Sequence, residues 1–260
     1  MTRAFRSKAD SAVHAYGPLA GEYYDAQRHP TCANFRAGST LLLRRMLARV
    51  TVDRAAVCEV GAGRSIVPDL VPDWAERLCE LVLVDASPEM LAHSAAAIED
   101  GAVPEIADAR ALPFPADHFD LVIVSLGDPF NDDAFWREVR RVLAPGGACL
   151  FTCPAYDWAR AFRGKHGSVM IGQAEFVTKG GNACTVPSLI WPPTAQIKMI
   201  EDAGLTLIDH ETIPVDAIDE RSRSWKLCAG RGRDAPIVEG YVAVRDQKRS
   251  GRILSGIPLN

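Results

Sequence analysis

Three carboxylates in this chain each follow a short apolar run, and each stands beside a turn: Glu59, Asp85 and Asp108. The first run, Val57-Cys58-Glu59-Val60, spills into Gly61-Ala62-Gly63-Arg64-Ser65. Two glycines there permit tight backbone angles and leave no β-carbon between the chain and a ligand. Ile66 occupies the place of the third glycine in a G-x-G-x-x-G dinucleotide turn, so the pattern departs from that fingerprint. Leu81-Val82-Leu83-Val84-Asp85 follows about 20 residues on, where a doubly wound sheet places a carboxylate against the two hydroxyls of a ribose. A third run, Ile106-Ala107-Asp108-Ala109 through Leu112-Pro113-Phe114, reads as another strand closing on an acid. Each acid could instead serve as a turn or helix cap, but their common spacing favours one shared site.

The elements that must position these groups are legible in order. Ser87-Pro88-Glu89 opens a helix with an N-cap, a first-turn proline and an acid. Phe119 to Ser125 forms a fourth strand. Asn131 caps a helix whose Phe135, Val139, Val142 and Leu143 share one face. Pro145-Gly146-Gly147 stops that helix, and Ala148 to Thr152 forms a fifth strand. Pro68 and Pro72 make the helix after the glycine turn short or irregular.

In this order, E-x-G-x-G, then Asp85, then D-A-x-x-L-P-F, a strand, a helix and P-G-G, the chain resembles the class I S-adenosylmethionine-dependent methyltransferases, in their small-molecule, methyltransferase-11-like form. The resemblance covers residues 50–153 strongly and the tail to 245 in outline. It implies a doubly wound α/β fold with a seven-stranded sheet whose last strand is antiparallel. It also implies S-adenosyl-L-methionine as cofactor. Carried over by position, Glu59, Gly61, Ala62 and Gly63 would line the methionine half, and Asp85 would bind the ribose. Ala86, Ser87 and Met90 would flank the adenine, with Asp108 accepting from its amino group and Ala109 donating a backbone amide. Ser125 and Leu126 would face the cofactor from the end of the fourth strand. Ser65 departs from the fullest form of the motif, which has a third glycine there.

The remaining composition is compatible with one domain, residues 1–260, divided into an N-terminal helical cap (1–50), a cofactor core (51–153), an insertion (154–193) and a substrate-side part (194–260). The chain has 260 residues and a formal net charge of -4, which disfavours nonspecific nucleic-acid binding. It shows no apolar run of the ~20 residues that span a bilayer and no signal-peptide core. Seven cysteines without zinc spacing point to reduced thiols, no metal and a cytoplasmic setting. Cys149 and Cys153 bracket a buried strand and read as core.

A methyl donor with a sulfonium needs an aligned nucleophile, and a hydroxyl or acidic carbon also wants a base. Several segments could frame the acceptor. Gly127-Asp128-Pro129-Phe130 faintly resembles the D-P-P-Y loop of amino-group methyltransferases and lacks its second proline; Asp128 is one catalytic candidate. Ala174 to Trp191 reads as a hairpin turning at Lys179-Gly180-Gly181-Asn182, a lid or a dimer contact. Arg221, Arg223, Lys226, Arg231 and Arg233 form a basic loop that could read an anionic substrate, or a solvated surface. At the amino terminus, Leu19 to Asp25 resembles the Y-D segment that small-molecule members fold over their cofactor. Tyr24 would offer its ring to the sulfonium, and His29 is the leading base candidate. His166 and His210 have weaker claims. The reading is a methyltransferase of an O, N or C nucleophile on a small metabolite. The alternatives are a macromolecular methyltransferase, a non-catalytic nucleotide-binding domain and an NAD-dependent oxidoreductase.

Overall fold

A computed structural model of the chain describes residues 16–165, 172–228 and 232–246. His166 and Arg231 therefore lie outside the described residues. The apolar runs become β1 (Ala56–Val60), β2 (Glu80–Asp85), β3 (Val103–Ile106), β4 (Phe119–Val124) and β5 (Leu143–Pro154), all mutually parallel. Two later strands of the sheet, β8 (Thr206–Pro214) and β9 (Pro236–Val244), complete a seven-stranded sheet in the order β3-β2-β1-β4-β5-β9-β8. β9 runs antiparallel to both its neighbours.

Side chains alternate across such a sheet, and both faces are covered, so the central strands are continuously apolar. Val57, Leu81, Leu83, Leu121, Ile123 and Leu150 pack on one face. Cys58, Val82, Val84, Val122, Val124, Cys149 and Phe151 pack on the other. Cys149 and Cys153 are buried free thiols within that second layer. The order reverses at β1, whose neighbours β2 and β4 lead away in opposite directions, and a crevice opens beyond the carboxyl ends there.

Helix α1 (Pro30–Leu47) buries Phe35, Ser39, Leu42, Leu43 and Met46 against β5, β8 and β9. It starts at Pro30, whose fixed φ suits a first turn. After the glycine turn the chain makes two four-residue helical turns, Val67–Leu70 and Trp74–Arg77, as its prolines require. Three boundaries differ from the sequence reading. β3 precedes Asp108 instead of containing it, because Pro104 and Val103 pair with β2. The helix α2 (Asp133–Val142) is capped by Asp132, whose carboxylate accepts from the amides of Ala134 and Phe135 at 3.0 and 3.1 Å. Asn131 is fully buried instead, accepting from the Trp136 indole at 2.9 Å and donating to Gln196 at 2.6 Å. Leu143, placed on that helix from sequence, begins β5.

Between β5 and β8 lies the insertion. It contains α3 (Tyr156–Lys165), then β6 (Gln173–Val177) and β7 (Ala183–Pro187), paired as the expected hairpin about Gly181 at φ +78. Helix α4 (Pro193–Asp202) returns the chain to the sheet.

Candidate active site

Glycine is required at both positions of the turn after β1. Gly61 and Gly63 adopt φ of +69 and +45. A β-carbon on Gly61 would fall 2.7 Å from the Phe130 ring, and one on Gly63 would fall 2.3 Å from the Tyr24 hydroxyl. Glu59 lies buried beneath this turn, accepting from the Ser65 hydroxyl at 2.5 Å and the Ile66 amide at 2.9 Å. Burial pushes its carboxyl up to about 7, against the pull of Ser65, Ile66 and Arg36. Ser94 adds a second strut, donating to the Gly63 carbonyl at 2.6 Å and accepting the Ser65 amide at 2.8 Å. Ser65 thus does structural work through both its hydroxyl and its amide, which a third glycine could do only in part.

Asp85 closes the turn from β2. One carboxylate oxygen accepts the Gly63 amide at 2.9 Å and the other accepts the Ser87 amide at 2.9 Å. Burial raises its pKa while the Ser87, Gly63 and Ala86 amides oppose the rise. Each oxygen keeps a further lone pair for a hydroxyl donor. Ser87 caps the short helix that carries Met90, accepting its amide at 3.2 Å.

These groups open onto a cavity of 520 Å³. Gly61, Ala62, Gly63, Asp85, Ala86, Ser87, Met90, Asp108, Ala109, Ser125, Leu126 and Tyr24 all line it. Glu59, also expected to line it, stands behind the wall as the brace of the turn. Asp108 holds its own loop, accepting the Arg110 amide at 2.9 Å. Leu126 sits at φ +59, an unusual backbone for leucine, and its amide is held by Thr152 at 3.0 Å. Ser39 links Thr152 to Ser125 through hydroxyl contacts of 2.7 and 2.8 Å.

The roof comes from residues ahead of α1. The Tyr24 hydroxyl accepts the Arg64 amide at 2.7 Å. Guanidinium groups of Arg64 and Arg36 lie 4.8 and 5.6 Å from the Tyr24 ring centre, so its π cloud already carries cations. Tyr16, Tyr23 and Cys32 also line the cavity. Burial pushes both phenols up, and the Cys32 thiol up to about 12, so all three are neutral at physiological pH. Nothing in the sequence singled out Tyr16, Tyr23, Cys32, Arg36 or Ser94, because tertiary packing alone brings them to the turn and the roof.

Other candidates fall elsewhere. His29 does not line the cavity; its Nε2 lies 3.8 Å from Glu22 and its ring packs edge-on against Phe176 of β6 at 5.6 Å. His210 stacks on Tyr241 at 4.6 Å within the β8–β9 pair. Asp128 is buried and, unlike the adjacent Pro129 and Phe130, does not line the cavity. Its carboxylate accepts from the Ser188 hydroxyl, and burial pushes it up to about 6 although Ser188 and Arg163 pull it down. The described part of the basic loop does not reach the cavity. Arg223 donates to the Ile218 carbonyl at 2.7 Å, Arg233 pairs with Glu220 at 3.0 Å and Lys226 lies over Phe162 at 5.8 Å. The cations lining the cavity are Arg36, Arg64 and Arg110. Among the described residues no cluster of His, Cys, Asp and Glu could hold a metal, and no helix is long and apolar enough to cross a membrane.

Glycine turn, sheet order and cavity define a nucleotide-cofactor site of the doubly wound class, and comparison with known proteins narrows it. The methyltransferase domain family matches residues 58–151. UbiE, the ubiquinone/menaquinone biosynthesis C-methyltransferase of Shewanella sp. (strain ANA-3), is 30% identical over 163 residues, which span 57% of this chain and 64% of that protein. The chain thus matches less than two thirds of that relative's length. A chain from the complex of the Haloferax volcanii Trm112 methyltransferase activator with a methyltransferase superposes with TM-score 0.64 at 16% identity, covering 93% of this chain and 100% of that one. The S-adenosylmethionine-dependent methyltransferase of Mesorhizobium loti gives TM-score 0.57 at 18% identity, covering 81% and 100%. The fold is that of the class I S-adenosylmethionine-dependent methyltransferases.

Proposed function

We propose that the chain transfers a methyl group from S-adenosylmethionine to a small, uncharged acceptor. The observation that carries this reading is the arrangement of Gly61, Gly63 and Asp85 on the wall of a cavity that the neutral Tyr16, Tyr23 and Cys32 also line. The residues fit the cofactor: the glycine turn offers bare backbone, Asp85 keeps lone pairs for two ribose hydroxyls, and Asp108 and Ala109 suit the adenine edge. Arg36 and Arg64 line the cavity and could pair with the cofactor's carboxylate. When bound, the cofactor supplies an electrophilic methyl group on a sulfonium.

The chain's own residues do the rest by positioning and by excluding water. Tyr24 roofs the turn with its hydroxyl engaged and its ring occupied by guanidiniums, so it bounds the site rather than receiving the sulfonium on a free face. Tyr16, Tyr23, Cys32 and Phe130 also line the cavity, and none of them carries charge near neutrality. That wall favours an uncharged acceptor over the anionic one suggested by the basic loop. The relative UbiE is by its name a C-methyltransferase of quinone biosynthesis, which supports a small-molecule acceptor here and keeps carbon among the acceptor atoms. Neither Asp128 nor His29 lines the cavity, so the reading rests on positioning. The thiols are free, which suits a cytoplasmic enzyme.

Incubation with methyl-labelled S-adenosylmethionine and a fractionated metabolite extract tests the reading. Label appearing in a small molecule, with matching S-adenosylhomocysteine, is expected. Label confined to protein or RNA would assign the chain to the macromolecular class instead.

A further inference from the structure

Resting on the methyltransferase reading, we propose that Arg110 and Asp132 are positioning residues that aim the Asp108 carboxylate into the cavity, so that the site selects a 6-aminopurine cofactor over a purine without the amino group. Asp108, Ala109 and Arg110 follow β3, and all three line the cavity. Asp132 follows β4 and stands at the start of α2. In the sheet β3 and β4 are separated by β2 and β1, so Arg110 joins loops whose strands are not neighbours. Its Nε donates to Asp132 Oδ2 at 2.7 Å. The other Asp132 oxygen caps α2 by accepting the Ala134 and Phe135 amides. Arg110 Nη1 lies 3.6 Å from Asp108 Oδ1, the same oxygen that accepts the Arg110 amide at 2.9 Å.

Both contacts of the Asp108 side chain therefore fall on one oxygen. Among the described residues its Oδ2 accepts no hydrogen bond, and with Oδ1 held, Oδ2 is the atom left for a donor in the cavity. Fastening the loop does not require the Arg110 bridge. The Glu138 carboxylate accepts the Leu112 amide at 2.9 Å, and Arg141 donates to the Leu112 and Phe114 carbonyls at 2.8 and 2.6 Å, which already ties the loop to α2. The side chains of Arg110, Asp108 and Asp132 are 26%, 28% and 35% exposed, and ion pairs that open contribute little to stability. What the bridge fixes is direction, because a planar guanidinium sets the angles of the carboxylates it meets and an ammonium does not.

The 6-amino group is the N–H donor on the edge of adenine. A carboxylate held toward it discriminates by penalty as well as by attraction. With hydrogen in place of the amino group, Oδ2 faces a C–H after giving up part of its hydration. A carboxylate free to turn back to solvent would suffer no such loss and would tell the two purines apart poorly. The bridge therefore bears on selectivity rather than on the overall strength of binding.

The test is isothermal titration of the full-length protein with S-adenosylhomocysteine and with its 6-deamino analogue, which has hydrogen in place of the amino group. The wild type should prefer S-adenosylhomocysteine by roughly tenfold or more, the scale of a hydrogen bond to a charged group. Arg110→Met removes the bridge. Asp132→Asn keeps an oxygen for the Ala134 and Phe135 amides but turns the acceptor for Arg110 into an NH2 group, so α2 retains its cap. In both variants the preference should fall to about threefold or less through weaker S-adenosylhomocysteine binding, with the affinity of the analogue changed by less than about twofold. An equal fall for both ligands would make the bridge a structural tie and overturn the proposal. A preference unchanged in the variants, or a wild type with no preference, would overturn it too, and all three results leave the methyltransferase reading intact. Failure of the wild type to bind S-adenosylhomocysteine would strike that reading itself. Should Arg110→Met fold poorly, Asp132→Asn still decides the matter.

Discussion

Glu59 gives a prediction whose sign and size both come from the structure. The side chain is buried under the glycine turn, and its carboxyl is raised from an ordinary 4.5 to about 7, first by burial. The folded protein therefore binds a proton at Glu59 more tightly than the unfolded chain does. The resulting stability is fully present below about pH 4.5 and is lost as the pH rises through about 7. At 1.36 kcal/mol per pH unit the whole effect is about 3 kcal/mol. Glu59→Gln cannot titrate, yet its amide oxygen can accept the Ile66 amide and its NH2 can donate to the Ser65 hydroxyl. Urea unfolding of both proteins between about pH 5 and about pH 8 is the assay. The wild type should lose stability relative to Glu59→Gln as the pH rises, by about 2–3 kcal/mol over that range. Asp128 titrates in both proteins and cancels in the difference. A difference that does not vary with pH, or one of opposite slope, would refute the claim that Glu59 is a high-pKa brace.

Gly63→Val should abolish S-adenosylmethionine binding while leaving a folded domain, because the new side chain meets Tyr24 and Met90 at a backbone angle that valine avoids; calorimetry with circular dichroism decides. Tyr24→Phe removes the acceptor of the Arg64 amide and keeps the ring, so cofactor affinity should fall by about 1 kcal/mol, read by titration. Neutralising Arg221 and Arg223 together should leave cofactor affinity and its salt dependence unchanged, since neither side chain lines the cavity; a clear loss at low salt would return the basic loop to the site.

The glycine-turn side of the cavity was legible because its signals are local. A strand, a glycine turn and a carboxylate at a fixed distance are enforced by neighbouring backbone, and Gly61, Gly63, Asp85 and Ser87 fell where their spacing placed them. The hairpin at Lys179–Asn182 and the broken helix after Ser65 were legible for the same reason. The rest of the cavity wall was not, because it is assembled by tertiary contact among the roof, α1 and the loop after β4, and no spacing rule connects Tyr16 with Phe130. His29 illustrates the failure: its chemistry suits a base, but Glu22 and Phe176 hold it on the hairpin side. Asn131 illustrates another, because a cap and a buried hub use the same side chain and the neighbouring Asp132 took the cap. Deletion of residues 1–35 is likewise a poor probe of the roof, since Asn34 holds the Ser222–Ser224 segment and Phe35 packs on Trp158 at 4.6 Å.

The central claim is that this cavity binds S-adenosylmethionine through Asp85. Isothermal titration of the wild type and Asp85→Ala with S-adenosylmethionine, and of the wild type with NAD, tests it most directly. Single-site binding of S-adenosylmethionine is expected, weakened in a folded Asp85→Ala by roughly 1.5–3 kcal/mol, the scale for hydrogen bonds to a charged group, with no tight binding of NAD. Wild-type affinity in Asp85→Ala, or tight binding of NAD in place of S-adenosylmethionine, would contradict the account.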